Sequence, residues 1–222
     1  MRKLINGIVE FRQKLLPEYR DLFAHLALEQ KPDTLFIACS DSRVVPNLFA
    51  STNPGDLFVI RNVGNLIPRC DENGISVSDE AEAAAIEFAL GNLNVSDIII
   101  CGHSECGAMR AIQEGRANVP FPNLKSWLRH GEVTAEQLKR HKLPLNVNLA
   151  PHNILSQANV LKQLENLQTY TPVRERMEQK KLRIHGWWFD IAQASVHTYD
   201  QEKGTFCLID EQEAARLLRT LD

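Results

Sequence analysis

Two short stretches crowd together side chains that could do chemistry: "CSDSR", residues 39–43, and "CGHSECG", residues 101–107. In the second, His103 and Cys106 stand three residues apart, a spacing that aims both side chains at one point as the chain enters the first turn of a helix. Cys39 is a third candidate donor. Two thiolates and an imidazole suit zinc in tetrahedral geometry, and three protein ligands with one open position form a catalytic arrangement. Softer metals accept similar donors. Taken singly, a cysteine at a strand end is usually just small and buried, and a lone histidine a satisfied polar group. Their conjunction at equivalent strand ends favours the metal.

Asp41 and Arg43, two residues apart beside Cys39, can form a carboxylate–guanidinium pair of fixed geometry. Such a pair could orient a metal-bound water. Asp41 could instead fill the fourth position and close the site, or simply cap the backbone amides of a local turn. Cys101 and Cys207 end or interrupt apolar runs and read as structural, and Cys70, in the polar "PRCDENG", reads as exposed. His152, His185 and His197 lack a partner at ligand spacing, which gives them structural or surface roles. Trp187 and Trp188 read as packing residues.

The elements that must position these groups follow from the apolar pattern. "TLFIA" (34–38), "DLFVI" (56–60) and "DIIIC" (97–101) are apolar on consecutive positions, as strands buried on both faces of a parallel sheet are. An alanine-rich helix, 79–90, lies between the second and third. Cys39 then ends one strand and His103 follows another, and ligands gather at the carboxyl ends of strands in open parallel sheets. Residues 2–28 predict two helices broken at Pro17. Further helices are expected from about Glu105 to Glu114 and over 151–168, and from Thr171 as cap with Pro172 in the first turn. "LRIHGWWFDI" and "SVHTYD" predict a strand and its antiparallel neighbour, and Asp210 with Glu213 a capping box for a last helix.

The 222 residues fit a single α/β domain, 1–222, with 1–30 as a helical arm, and no internal repeat interrupts it. At 44% hydrophobic, 24% charged and a net charge of -3, the composition excludes disorder and offers no basic balance for nucleic acid or anionic lipid. No apolar run approaches bilayer length, so no membrane partner is expected and a cytoplasmic location is. Five cysteines, an odd number, argue against a disulfide framework.

"CSDSRVVP" (39–46), "PGDLFVIRNVGNLIP" (54–68), "CGHSECGAM" (101–109) and "HGWWFD" (185–190) together resemble the β-class carbonic anhydrases, in particular the bacterial and cyanobacterial members related to the cyanate-operon enzyme. The resemblance implies four parallel strands plus an antiparallel edge strand, flanked by helices, with the N-terminal helices packing on a partner subunit. It implies a homodimer or higher homo-oligomer, Zn2+ held by Cys39, His103 and Cys106, and a catalytic dyad of Asp41 and Arg43, with Asp41 as a possible fourth ligand in a closed state. Gln30 matches a glutamine that reaches the neighbouring subunit's site, and Gly107 a backbone amide near the substrate. The implied reaction is reversible hydration of carbon dioxide to bicarbonate and a proton through zinc-bound hydroxide. The chain departs from the family pattern at Phe36, where one subgroup carries a tryptophan, and at Ala81–Ala83, where many members have a glycine-rich turn. A carbonyl sulfide or carbon disulfide hydrolase on the same scaffold is one alternative, and a non-catalytic scaffolding protein with structural zinc is another.

Overall fold

A computed structural model describes residues 1–78, 80–140 and 148–221. Six strands form one sheet in the order β2-β1-β3-β4-β5-β6, with β1 Thr34–Cys39, β2 Leu57–Asn62, β3 Asp97–His103, β4 Arg183–Asp190, β5 Ser195–Asp200 and β6 Thr205–Leu208. The first four are parallel, and β5 and β6 run antiparallel. The single expected edge strand is therefore two. The four-residue "TFCL" is too short for its alternation to register, yet it pairs with β5 from His197↔Leu208 to Asp200↔Thr205.

The strands of the sheet centre are apolar on both faces because both faces are covered. Leu35 and Ile37 of β1, with Ile98 and Ile100 of β3, point into one cluster, while Phe36, Ala38, Ile99 and Cys101 point into another. Fully burying each such aliphatic side chain contributes about 1.5–3 kcal/mol. The first cluster is closed by α4 Glu80–Gly91, α8 Pro151–Leu167 and α9 Thr171–Glu178. In the second, Phe49 stacks on Phe189 at 4.7 Å and lies 6.1 Å from Phe36. Asp79, the expected start of α4, lies outside the described residues.

The N-terminal expectation needs correcting. Helices α1 Arg2–Glu10 and α2 Leu16–Leu26 are joined without a break by a π-helical turn, Phe11–Leu15. Pro17 lacks an N–H and ordinarily disrupts the helix behind it. Here the wider turn, in which the Leu16 N–H bonds the Phe11 carbonyl, absorbs the disruption and the proline sits in the first turn of α2. Neither helix buries a residue, and Leu4, Ile5 and Ile8 are each more than half exposed.

Helix α3 spans Pro46–Phe49, α5 Gly107–Gly115, α6 Pro122–Trp127, α7 Arg129–Arg140 and α10 Glu211–Leu221. Thr171 is the first residue of α9 rather than its cap, and Tyr170 precedes it with no side-chain cap bond. Half of the expected capping box forms: Asp210 accepts the Glu213 N–H at 2.8 Å, but the Glu213 carboxylate turns to Arg216. Cys70 is buried, not exposed, because residues 69–77 fold back on themselves and the Cys70 N–H bonds Thr169 Oγ1 at 2.8 Å. Among the described residues no helix is long and apolar enough to cross a membrane.

At the amino ends of β3 and β4, Asp97 faces its register partner Arg183 in a two-point ion pair and accepts from His185 Nε2 at 2.8 Å. Burial raises the Asp97 pKa, but the bonds from His185, Arg183 and Ser96 outweigh it and hold the carboxyl well below the usual range. A depressed folded-state pKa contributes stability that is present above the unfolded value of about 3.9 and lost as pH falls below it. Thermal melts of Asp97→Asn should therefore lie below those of the unmodified protein at pH 7, and the two should converge as pH is lowered from about 5 toward 2.

Candidate active site

The strand order reverses between β1 and β3: the chain leaves β1 toward β2 on one side and returns to β3 on the other. The crevice at the carboxyl ends of these two strands is where such sheets bind ligands. Cys39 is the last residue of β1 and His103 the last of β3. Cys106 directly precedes α5, so its sulfur joins the other two at the start of that helix. The donor atoms of Cys39, His103 and Cys106 all lie within 4.8 Å of one another, and all three side chains are buried.

The donors fit a metal. His103 Nδ1 lies 2.8 Å from the Ser104 carbonyl, which fixes the proton on Nδ1 and leaves Nε2 a lone pair; that Nε2 is buried and has no hydrogen-bond partner. The Cys39 thiol is pulled well below an ordinary cysteine, first by a hydrogen bond from the Cys106 thiol and then, against the cost of burial, by the Gly64 N–H. The Cys106 thiol is pushed up by that same bond and by burial. Two buried sulfurs thus stand beside a bare imidazole nitrogen. A divalent cation satisfies all three at once.

Asp41 and Arg43 form the expected pair at the mouth of this cluster. Arg43 Nε and Nη2 donate to the two Asp41 oxygens at 2.9 and 2.8 Å, and the Arg43 backbone N–H bonds Asp41 Oδ1 at 3.0 Å. The Arg43 bonds hold the Asp41 carboxyl well below the usual range, so it stays ionised. Asp41 Oδ2 is 4.0 Å from His103 Nε2, which places it beside the donor cluster while both its oxygens are engaged by Arg43. Gly107 opens α5 next to Cys106, and a Cβ there would meet nothing within 4 Å, so its surroundings are clear. Gln30 is exposed between α2 and β1, with no hydrogen bond tying it to the cluster.

The local sequence pattern does not single out Arg61 or Glu105 as residues of the site. From the neighbouring strand, Arg61 donates to the Cys39 carbonyl at 2.9 and 3.1 Å and to the Asp41 carbonyl at 2.6 Å, clamping the turn that carries both. Glu105 adopts a left-handed conformation at φ 55°, and its carbonyl accepts Arg43 Nη2 at 3.1 Å. The mark of Arg61 in the sequence is a cation at the penultimate position of a strand whose first four residues are apolar. His152 meets Glu105 at 3.1 Å, and His185 and His197 stay outside the cluster, as their spacing implied. Cys101 is fully buried in the sheet, where burial pushes its thiol up, and remains structural.

Known proteins share this arrangement of chain and fold. The sequence profile described as "Carbonic anhydrase" matches residues 34–196. A carbonic anhydrase of Pseudomonas aeruginosa is 38% identical over 97% of this chain and 95% of its own, and one of Synechococcus elongatus is 39% identical over 95% of this chain and 76% of its own. Among solved structures, the β-carbonic anhydrase CcaA superposes with a TM-score of 0.85 at 38% identity, over 94% of this chain and 98% of that one. One of two tetrameric β-carbonic anhydrases from Sordaria macrospora gives 0.73 at 26% identity, over 89% and 95%. With both the sequence and the fold matched over most of its length, the chain belongs to the β-class carbonic anhydrases.

Proposed function

We propose that the protein catalyses the reversible hydration of carbon dioxide to bicarbonate with a zinc ion held by Cys39, His103 and Cys106. The observation that carries this is the bare, buried His103 Nε2 facing two thiols beside an ionised carboxylate that is not itself spent on the metal position. Zinc in such a site supplies Lewis-acid chemistry that generates a nucleophile from water near neutral pH. With zinc held by these three residues, Asp41 would be placed to accept a hydrogen bond from a water through the carboxylate edge nearest His103 and so to orient it. Arg43 keeps Asp41 ionised and holds both of its oxygens. Gly107 is the first residue of α5, where a backbone N–H has no acceptor within the helix, and this N–H is proposed as a donor to a substrate oxygen. A site that only stabilised the fold would need neither the dyad nor an open position, which disfavours a scaffolding role. Stopped-flow hydration of carbon dioxide, abolished by a strong chelator and restored by zinc, tests this reading; turnover indifferent to the chelator would refute it.

The protein is expected to work as a homodimer or larger assembly. Helices α1 and α2 bury none of their residues within the chain, and Leu4, Ile5 and Ile8 expose 57–65% of their surface along one rod. An exposed apolar stripe of this extent marks a protein interface. The tetrameric relatives from Sordaria macrospora are consistent with that reading. Gln30 follows directly on this arm, and an intersubunit position would bring it to a partner's site.

Three outcomes follow. Cys106→Ala should lose most bound zinc by elemental analysis while the unmodified chain carries one ion per chain; full occupancy in the variant would remove Cys106 from the ligand set. Asp41→Ala should keep its zinc and its fold but lose turnover by about 10²-fold or more, and Arg43→Ala should match it because the two act as one unit. A chain lacking residues 1–25 should run smaller on size exclusion than the full assembly, and an unchanged oligomeric size with full activity would contradict the role given to the arm.

A further inference from the structure

Helix α8 carries a polar face where an interior helix ordinarily carries apolar side chains. Asn153, Ser156, Asn159 and Gln163 are buried to 7%, 1%, 1% and 0% exposure, and their spacing of three, three and four residues lines them along one side. Buried amides and hydroxyls are costly unless bonded. Here they bond to backbone at the last residue of β3 and in the irregular segments that follow β2 and β3.

Each rung reaches a different part of the candidate site. Asn153 Oδ1 accepts the Glu105 N–H at 2.7 Å and its Nδ2 donates to the Glu105 carboxylate at 3.0 Å, pinning the left-handed residue whose carbonyl receives Arg43. Ser156 Oγ donates to the His103 carbonyl at 2.7 Å and accepts from Trp188 Nε1 at 3.2 Å. Asn159 Nδ2 donates to the Gly64 carbonyl at 3.1 Å, and the Gly64 N–H in turn donates to Cys39 Sγ at 3.3 Å. Gly64 sits at φ 88°, and a Cβ there would come within 3.0 Å of the Ala108 Cβ, so the amide is delivered by a residue that only glycine fills without strain. Gln163 completes the row: its Nε2 donates to Asn159 Oδ1 at 2.9 Å and so fixes which end of that amide faces Gly64, and its Oε1 accepts the Ile67 N–H at 2.8 Å.

We propose that the buried polar face of α8 is the template that sets the metal-ligand geometry, with Asn159 the positioning residue that holds the Gly64 N–H on the Cys39 sulfur and Ser156 the one that holds the His103 segment. This rests on the reading of Cys39, His103 and Cys106 as metal ligands. A hydrogen bond to a ligating sulfur and an anchored ligand backbone both tune metal affinity, so loss of either is expected to weaken binding by about 10-fold or more.

The test uses the full-length protein loaded with zinc for affinity, by competition with a chelator, and with cobalt(II) for the thiolate-to-metal charge-transfer band. Asn159→Leu, which keeps the volume and removes the donor, and Ser156→Ala, a small change expected to fold, should both bind zinc more weakly and shift the cobalt band. Leu167→Ala, a cavity in the apolar part of the same helix, should lower Tm without either change. Wild-type affinity and band in both Asn159→Leu and Ser156→Ala would overturn the proposal, as would an equal affinity loss in Leu167→Ala. Wild-type affinity in His103→Ala would instead overturn the metal reading, and the inference with it.

Discussion

Everything at the site depends on the reversal of strand order between β1 and β3. Parallel strands buried on both faces leave no room for polar chemistry along their length, so reactive groups can stand only at the ends. At the reversal the connections leave in opposite directions, and the carboxyl ends of two adjacent strands open onto one crevice. Cys39 and His103, sixty-four positions apart in sequence, become neighbours there. The helix after β3 starts at Gly107, and Cys106 directly before it comes to the same point. Three buried donors, one of them a bare nitrogen, make a cluster that a cation would complete.

Around that cluster the protein spends its polar contacts on holding backbone, not on holding the metal position. Arg61 clamps the turn after β1 by three bonds to two carbonyls, Glu105 gives its carbonyl to Arg43, and Arg43 occupies both oxygens of Asp41. The result is a carboxylate beside the donors that is ionised and held by Arg43 on both of its oxygens.

Much of this was legible in the sequence because it is written in local patterns. Continuous apolar runs marked β1, β2 and β3, and the three-residue spacing of His103 and Cys106 marked a shared target. The strands run one to two residues past the apolar stretches, to Cys39, Asn62 and His103, because the ladder continues through polar residues once the pairing is set. What was not legible depended on distant partners. Pro17 reads as a break unless the π turn before it is known, and β6 is too short to register without β5 beside it. Cys70 reads as exposed because its burial comes from a fold-back and from Thr169, about a hundred residues away. On α8 the leucines and isoleucines gave an amphipathic pattern whose polar residues would ordinarily face water. Asn153, Ser156, Asn159 and Gln163 face inward because loop backbone, invisible to periodicity, waits there for them.

X-ray absorption at the zinc edge of the loaded protein measures directly whether two sulfurs and one imidazole bind the metal while the carboxylate of Asp41 stays on Arg43. Two sulfur neighbours are expected at about 2.3 Å and two lighter ones at about 2.0–2.1 Å, falling to one sulfur in Cys106→Ser and unchanged in sulfur count in Cys101→Ser. A shell with no sulfur or only one in the unmodified protein, or loss of a sulfur in Cys101→Ser, would contradict this donor set.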